Sequence, residues 1–390
     1  MRYSVLLPTR NGGPFLRNCI GSILSQDYDD FELVISDNAN TDETPEIIAG
    51  LRDHPKVKAI RLDQPVPVTE NWTAAYTAST GDYTLMMGDD DYLLPDYFRT
   101  MDAILERHSF PDCVLYNGYS YVAPGSIEDA PGSFYTPQYF TLGPDLQREA
   151  ELSSEQKRGI VRDMFRWKVR IPLNMQTTLV GRRAADRIEG GFYQPPFPDH
   201  YALNSLLLMD ARWVVSPEQV VIVGVSPKSF GHYAYSGKEA SGLSYLGIEP
   251  TFPGELPGSP LLNGMHVWLD RLKAGFPNET RAMEIDRARY VQRQVYQWLL
   301  ETGLGRMSKT GLFQRLRLLS PRDWLGLGRG FVDSQNWGRL YSVLARGFGA
   351  AQVRWNSLRP TDAKDIADFA SRLRPPRNPI DLVPETRVID

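Results

Sequence analysis

Three consecutive carboxylates are the residues with the strongest chemical signal. Asp89, Asp90 and Asp91 follow Gly88, at the end of the apolar run 83–87. Adjacent negative charges at the end of a buried strand repel one another, and the repulsion costs stability unless a cation neutralises it. Oxygen ligands suit a hard divalent ion such as Mg²⁺ or Mn²⁺, which keeps open positions for phosphate oxygens. The alternative is a solvated acidic turn in which one aspartate caps the next helix.

Two other polar segments follow apolar runs of the same kind. One is residues 8–12 (Pro-Thr-Arg-Asn-Gly), and the other is residues 36–42 (Ser-Asp-Asn-Ala-Asn-Thr-Asp). Ligands of open parallel sheets bind outside the carboxyl ends of the strands, so we expect both segments to lie beside the acidic cluster. This arrangement favours a ligand site over a solvated turn. For Asp37 and Asn38, ordinary turn formation is the alternative to a binding role.

The elements that position these loops are predicted from the first 120 residues, where short apolar runs alternate with helical patterns. Such alternation predicts an α/β fold with a mostly parallel sheet and helices on both faces. Gly81 is the expected stop of the third helix, and Pro95 is expected in the first turn of the fourth. The predicted strands are 3–7, 31–35, 57–62, 83–87 and 113–116; the predicted helices start after Pro14 and cover 45–51, 69–79 and 95–108.

The chain after residue 118 is less regular. Residues 118–152 are rich in Pro, Gly, Ser and Tyr, which predicts a long surface excursion. Pro and Gly between residues 248 and 260 indicate a boundary. The expected elements are helices 155–167 and 183–188, a strand at 176–180, a helix from about Asp199, and paired helices at 261–273 and 279–300.

The three polar segments together resemble those of the family 2 glycosyltransferases of the GT-A fold. The resemblance rests on Ser-Val-Leu-Leu-Pro-Thr-Arg-Asn at 4–11, Leu-Val-Ile-Ser-Asp-Asn at 33–38, and Gly-Asp-Tyr at 81–83 leading to the acidic cluster. It covers about residues 1–230. It implies that Asp89 lies near the ribose and the metal, and that Asp91 binds the metal in a D-x-D motif. The residues it assigns to the nucleotide-sugar donor are Pro8, Thr9, Arg10, Asn11, Asp37, Asn38, Asn71, Asp89 and Asp90.

The resemblance also points to a catalytic base. Family members usually carry an acidic motif after a Gly-Gly-Phe-like segment, at the start of a helix, and residues 190–192 followed by Phe-Pro-Asp-His at 197–200 match that placement. Asp199 is therefore the expected base, with His200 as the substitute. Many members have Glu-Asp here, whereas this chain has Pro198 before the acid. The alternative is that Asp199 only caps the helix.

His232 occupies a position where some GT-A enzymes bring a late histidine onto the metal. The alternative is a histidine in a surface loop.

The implied reaction is inverting transfer of a sugar from a nucleotide diphosphate, with a UDP-sugar of a hexose or N-acetylhexosamine as the expected donor. One carboxylate takes the acceptor proton, and a bound Mn²⁺ or Mg²⁺ neutralises the departing diphosphate. The expected acceptor is a hydroxyl of a glycan, a lipid-linked molecule or another small acceptor. Two rivals remain, a sugar nucleotidyltransferase and a non-catalytic nucleotide-sugar-binding protein. The former normally has a lysine after strand one, which this chain lacks locally.

Composition limits the remaining classes. The chain has 390 residues, 42% apolar and 23% charged, with a net charge of −4. This charge gives no support to nucleic-acid binding. The two cysteines, Cys19 and Cys113, make no disulfide framework and fit a cytoplasmic protein. No signal-peptide pattern and no run of ~18 to 20 apolar residues is present.

The C-terminal part has a different charge. Between residues 303 and 360, ten Arg or Lys stand against two acids, so this segment is +8 and the rest of the chain is −12. Aromatic residues lie among these cations, among them Trp324, Trp337 and Trp355. We expect either peripheral contact with an anionic membrane or a helical lid packed on the catalytic domain or on a second copy in a homodimer. The expected domains are a catalytic domain at 1–230, an acceptor-side loop and helical extension at 231–302, and this basic region at 303–390.

Overall fold

The computed structural model describes residues 2–127, 131–229, 246–247, 251–303, 305–330 and 358–373. Strands and helices alternate through the first half of the chain. The strands are β1 (Tyr3–Thr9), β2 (Phe31–Asp37), β3 (Val57–Arg61), β4 (Tyr83–Met86), β5 (Tyr92–Leu93), β6 (Cys113–Val122), β7 (Ser133–Thr136), β8 (Ala150–Glu151), β9 (Thr178–Gly181), β10 (Trp213–Val225) and β11 (Arg359–Thr361).

Helices cover both faces of the sheet, and further helices follow in the C-terminal part of the chain. They are α1 (Gly13–Leu24), α2 (Thr44–Ala49), α3 (Val68–Ala78), α4 (Tyr97–Arg107), α5 (Ser154–Phe165), α6 (Arg182–Ala185), α7 (Pro198–Leu208), α8 (Pro260–Gly275), α9 (Pro277–Thr280), α10 (Arg287–Gly303), α11 (Lys309–Leu316), α12 (Pro321–Gly330) and α13 (Ile366–Arg372).

The strands form one mixed sheet in the order β11-β7-β6-β9-β4-β1-β2-β3, with β10 beside β6. Strand β1 lies parallel to β2 and to β4, and β2 lies parallel to β3. Strand β9 is antiparallel to both β4 and β6. The carboxyl ends of β1, β2 and β4 therefore meet at one edge, as the sequence predicts, and the sheet is mostly parallel.

Both faces of the sheet are covered by apolar layers. In β1, Val5 and Leu7 belong to the layer that includes α1 and α4, whereas Leu6 belongs to the layer that includes α5, α7, α8 and α10. All three side chains are fully buried. A strand with both sets of side chains buried is typical of a parallel sheet between two helical layers, and the predicted α/β architecture is confirmed.

The region predicted as a long surface excursion is in part sheet. Strand β6 continues to Val122, and β7 pairs with it antiparallel, so the prediction for residues 118–152 is wrong over these elements. The tyrosines in this segment belong to the sheet instead of a loop, and Tyr121 in β6 is only 2% exposed. The fourth helix begins at Tyr97 rather than Pro95, because β5 and a left-handed Asp96 (φ 63°) come first.

The C-terminal part returns to the sheet. Helices α8 and α10 place Trp268, Tyr290 and Trp298 in the same apolar layer as α7. Residues 358–373, which we call the clasp, add β11 antiparallel to β7 and pack α13 next to α1, β5 and β10.

The domain boundaries at 230 and 302 stay a prediction. No helix within the described ranges has the length and apolarity needed to cross a membrane.

Candidate active site

The acidic cluster turns inward at the end of β4. Asp91 is 1% exposed, and its carboxylate accepts hydrogen bonds from the backbone N–H groups of Gly88 (2.6 Å) and Gly224 (2.9 Å). A carboxylate held by two backbone N–H groups shapes a loop rather than capping a helix. The solvated acidic turn is therefore excluded for Asp91, and metal binding by Asp91 stays a prediction.

Asp89 joins the cluster to the loop after β1. The Thr9 hydroxyl donates to Asp89 Oδ2 at 2.9 Å. The two loops approach so closely that a Cβ atom on Gly12 would lie 2.5 Å from Asp89 Oδ2. Glycine is thus required at residue 12 for this contact, and Asp89 itself is half-buried beside it.

The loops after β1 and β2 are also held together. Asn11, in a left-handed conformation (φ 53°), receives the N–H of Thr41 on its side-chain oxygen at 2.9 Å and donates its own N–H to Asn40 at 2.5 Å. The Arg10 guanidinium donates to the carbonyls of Asn38 and Ala39 at 2.6 and 2.7 Å. Arg10 and Asn11 therefore hold the second loop against the first.

Asp37 and Asn38 make internal contacts of the kind expected for loop-forming residues. The Asp37 carboxylate pairs with Arg61 at 2.5 Å and accepts the N–H of Asn40 at 2.8 Å. The Asn38 amide bonds to both backbone polar groups of Val66. Their assignment to the nucleoside is untested and stays a prediction. The remaining residue of this group, Pro8, is a half-buried member of β1.

A fourth loop, after β10, completes the arrangement and was missed by the sequence reasoning. Ser229 donates to Asp90, and Lys228 donates to the carbonyl of Asn11 and pairs with Asp42 at 3.5 Å. A Cβ on Gly224 would lie 1.8 Å from the Asp90 carbonyl oxygen, so β10 approaches the acidic cluster directly. Lys228 supplies a lysine beside the loop after β1, where the local sequence has none.

Several buried polar atoms at this edge lack partners within the described chain. They are Ser36 Oγ, Asn40 Nδ2, Thr69 Oγ1 and Asn71 Oδ1. Asn71 is 4% exposed. Buried polar groups are nearly always hydrogen-bonded, so a cluster of orphans indicates a place where a ligand or water supplies the missing bonds. Asn71, predicted to be near the donor, thus carries a free acceptor at the start of α3.

The electrostatics of the cluster favour a cation. Burial and the charge of Asp90 raise the pKa of Asp89 to about 7. Burial and the same neighbour also raise the pKa of Asp91 well above its usual value. The carboxylate oxygens of Asp89 and Asp90 are hard ligands in a position where negative charge is unfavourable, so this donor set fits Mg²⁺ or Mn²⁺. Across the described ranges, no three His, Cys, Asp or Glu side chains are preassembled for a metal ion.

Asp199 lies in the first turn of α7 and forms a pair with His200. Its Oδ1 accepts from the backbone N–H of His200 at 2.9 Å and lies 3.0 Å from the Nδ1 atom of the same residue. The His200 ring stacks on Trp268 of α8, with centroids 4.3 Å apart. Phe197, not Asp199, occupies the N-cap position. The expected base and its substitute therefore contact each other, and α8 holds the His200 ring in place.

Aromatic contacts connect α3 with the segment before α7. Tyr193 meets the Trp72 ring edge-on, with centroids 5.3 Å apart, and burial, with smaller effects of the charges of Tyr76 and Asp199, raises the pKa of the Tyr193 hydroxyl. Tyr193 thus joins the segment before α7 to the helix that carries Asn71. His232, the predicted late metal ligand, lies outside the described residues.

Comparisons with known proteins agree with this architecture. Residues 4–186 match the family model described as Glycosyl transferase family 2. The chain is similar to glycosyltransferase GlyG of Streptococcus pneumoniae, at 24% identity over 37% of this chain and 44% of GlyG. It is also similar to poly(ribitol-phosphate) β-N-acetylglucosaminyltransferase TarS of Staphylococcus aureus, at 25% identity over 28% of this chain and 19% of TarS. These matches span less than half of either relative.

A solved structure extends the likeness in fold. The crystal structure of S. aureus TarS residues 1–349 in complex with UDP-GlcNAc superposes with a TM-score of 0.50, covering 76% of this chain and 81% of that one. Their sequences are 16% identical, so the match concerns the fold alone. Residues 4–186, slightly less than half of the chain, thus match the model of glycosyl transferase family 2, and the mostly parallel sheet has the GT-A architecture of that solved structure.

Proposed function

We propose that this protein transfers a sugar, with inversion, from a nucleotide diphosphate donor to an acceptor hydroxyl. The observation that carries the proposal is the convergence of the loops after β1, β2, β4 and β10 on the acidic cluster, through the contacts of Thr9, Asn11 and Ser229. Loops at the carboxyl edge of a parallel sheet are where such folds bind ligands. The donor is proposed to be a UDP-sugar carrying a hexose or an N-acetylhexosamine.

Each group has a proposed task in this reaction. Asp89, Asp90 and Asp91 would hold Mn²⁺ or Mg²⁺, which when bound neutralises charge on the diphosphate leaving group. Asp199 removes the acceptor proton, supported by its contact with His200. Lys228 adds positive charge on the donor side. The proposed acceptor is a glycan or lipid-linked hydroxyl, and a cytoplasmic location is supported by two free cysteines.

The experiment is a comparison of donor binding with turnover. Asp199→Asn should reduce transfer by roughly 10²-fold or more, because the base is lost, and should leave the binding of UDP with Mn²⁺ within about two-fold. Asp210→Asn changes an exposed acid just beyond the C-terminal end of α7; it is the matched control and should retain activity. Equal losses of binding and turnover in Asp199→Asn would contradict its role as base.

The rival functions are separated by products. A glycosyltransferase releases UDP from a UDP-sugar, whereas a nucleotidyltransferase forms or consumes pyrophosphate. A binding protein would be stabilised by the donor without releasing either product, and that result would overturn the proposal.

A further inference from the structure

The helices α11 and α12 carry an unusual surface. Seven large apolar side chains are exposed in the described chain, and four of them lie within thirteen residues of these helices and their connection. These four are Phe313 (57% exposed), Leu318 (57%), Trp324 (50%) and Leu325 (60%). We call them the apolar ridge. Clustered exposed apolar side chains of this size usually mark an interaction site.

The ridge is not needed to hold the helices in place. Leu312, Leu316 and Leu327 already pack against the main core, and Leu319 is buried in it. Helix α12 also approaches α10 closely, since a Cβ atom added to Gly326 would lie 3.1 Å from the Cβ of Ala288. Each helix therefore has an inner apolar face that attaches it to the protein. The ridge is a second apolar set that the fold leaves in solvent.

The charges around the ridge are mostly positive. Residues 305–330 contain six Arg or Lys and one acid, Asp323. That acid is paired with Arg287 of α10 at 2.9 Å, so it does not offset the surrounding cations. Lys309, Arg322 and Arg329 are exposed and form no ion pair within the described ranges. The Arg317 guanidinium lies 4.5 Å from the Phe313 ring centre.

We propose that this surface docks on an anionic membrane, with the ridge entering the headgroup region and the cations contacting acidic lipid headgroups. Aromatic and aliphatic side chains framed by Arg and Lys are the combination that binds such interfaces. A predominantly cationic frame is complementary to a negatively charged leaflet. The proposal does not depend on the proposed transfer reaction, since it concerns different residues and needs no donor.

The test is vesicle flotation of the full chain without nucleotide or metal. Vesicles of phosphatidylcholine alone are compared with vesicles containing about 30% phosphatidylglycerol, the latter also at raised salt. The protein should float with the anionic vesicles, bind neutral ones at least ten-fold more weakly, and be released by salt. Equal binding to both vesicle types, or no flotation with anionic ones at low salt, would overturn the proposal.

Variants separate the two components of the surface. The triple variant Lys309→Gln, Arg322→Gln, Arg329→Gln should lower the vesicle-binding constant roughly ten-fold or more, since each cation near the surface contributes substantially. Trp324→Ser combined with Leu325→Ser should give a comparable loss, and Leu318→Ser a smaller one. The matched control is Arg52→Gln, Arg183→Gln, Arg187→Gln, three exposed cations elsewhere, which should bind as the wild type does.

Two results would refute the lipid proposal. One is an equal loss of vesicle binding in the control triple. The other is a wild-type dimer, seen in sedimentation velocity, that becomes a monomer in Trp324→Ser, Leu325→Ser while neither protein floats. This second result would assign the ridge to a second copy of the chain. Melting curves of every variant, all of them at exposed positions, confirm that the compared proteins are folded.

Discussion

At the scale of single residues, Asp89 links the acidic cluster to the first loop. Its carboxylate accepts the Thr9 hydroxyl, and burial beside Asp90 raises its pKa to about 7. An unfolded aspartate loses its proton near pH 3.9. Between these values the folded chain holds a proton that the unfolded chain has released, so this group makes the metal-free protein less stable as the pH rises.

Asp89→Asn tests this directly. Without divalent cations, the variant should gain stability relative to the wild type between pH 5 and pH 8, by about 1–2 kcal/mol once solvent screening of a half-buried group is allowed for. Thermal melts across this range measure the difference, and Asp53→Asn, an exposed aspartate, should show no such trend. If the stability difference between Asp89→Asn and the wild type shrank with rising pH, the raised pKa of Asp89 would be contradicted. In a separate measurement, Mn²⁺ should stabilise the wild type more than Asp89→Asn.

Lys228 gives a second prediction at this scale. It lies beside Asp42 and donates to the Asn11 carbonyl, and its charge opposes the rise in the pKa of Asp89. Lys228→Met should raise the donor KM roughly ten-fold, as expected for losing one contact to a charged group. Lys56→Met removes a lysine with the same kinds of partner, a carbonyl and a carboxylate, and should leave the KM unchanged. Steady-state kinetics with a varied donor distinguish the two.

At the scale of elements, the approach of β10 to the acidic cluster depends on one glycine. A side chain on Gly224 has no space beside the Asp90 carbonyl. Gly224→Ala should therefore destabilise the protein by about 1–3 kcal/mol, as overpacking does, and weaken donor binding, because the displaced β10 carries Gly224 N–H away from Asp91. Denaturant unfolding and donor titration provide the two readouts.

The matched control is Gly21→Ala in α1, where an added Cβ meets no atom within 4 Å. This change should stabilise the helix by about 0.5–1 kcal/mol. If Gly224→Ala behaved like Gly21→Ala, the close approach of β10 would have no energetic meaning.

The elements also show what sequence reasoning can reach. Strands β1, β2 and β4 are predictable because each is a short apolar run followed by polar residues. Their parallel order brings the loops that follow them to one edge of the sheet. Strand β10 was not predicted. Its sequence, Trp-Val-Val-Ser-Pro-Glu-Gln-Val-Val-Ile-Val-Gly-Val, is interrupted by Pro217, and its register with β6 shifts after Val215.

The missed site residues have the same explanation. Lys228 and Ser229 meet Asn11 and Asp90 across 217 and 139 residues of sequence. No local periodicity encodes such a contact, since it depends on where β10 lies in the sheet. Likewise, the sequence around Asp37 does not identify Arg61 as its partner. The two residues meet because β2 and β3 pair in parallel.

At the scale of the whole molecule, the clasp, residues 358–373, is tied to the central sheet. Phe369 is 4% exposed, and its ring stacks on Tyr121 with centroids 5.4 Å apart. The same small core includes Ile222 of β10, with Phe15 of α1 and Tyr92 of β5 packed against it. The clasp thus packs against α1, β5 and β10, the elements next to the acidic cluster.

Phe369→Ala should cost about 3–5 kcal/mol, the usual effect of emptying an aromatic core position, and should make residues 358–373 more sensitive to limited proteolysis. Phe313→Ala, which removes an exposed ring, should stay within about 0.5 kcal/mol of the wild type. Melting curves and timed digestion measure both effects. Unchanged proteolysis in Phe369→Ala would mean that the pairing of β11 with β7 holds the clasp without the small core.

The pairing of β11 with β7 has a consequence for biosynthesis. Tyr135 and Arg359 are partners in the sheet but are separated by more than 220 residues. While the ribosome is still making the intervening chain, β7 presents unpaired backbone groups, a known starting point for aggregation. The edge of β7 that later pairs with β11 therefore stays unpaired during translation of the intervening residues. Codon changes that slow elongation after β7 are expected to lower the yield of native protein.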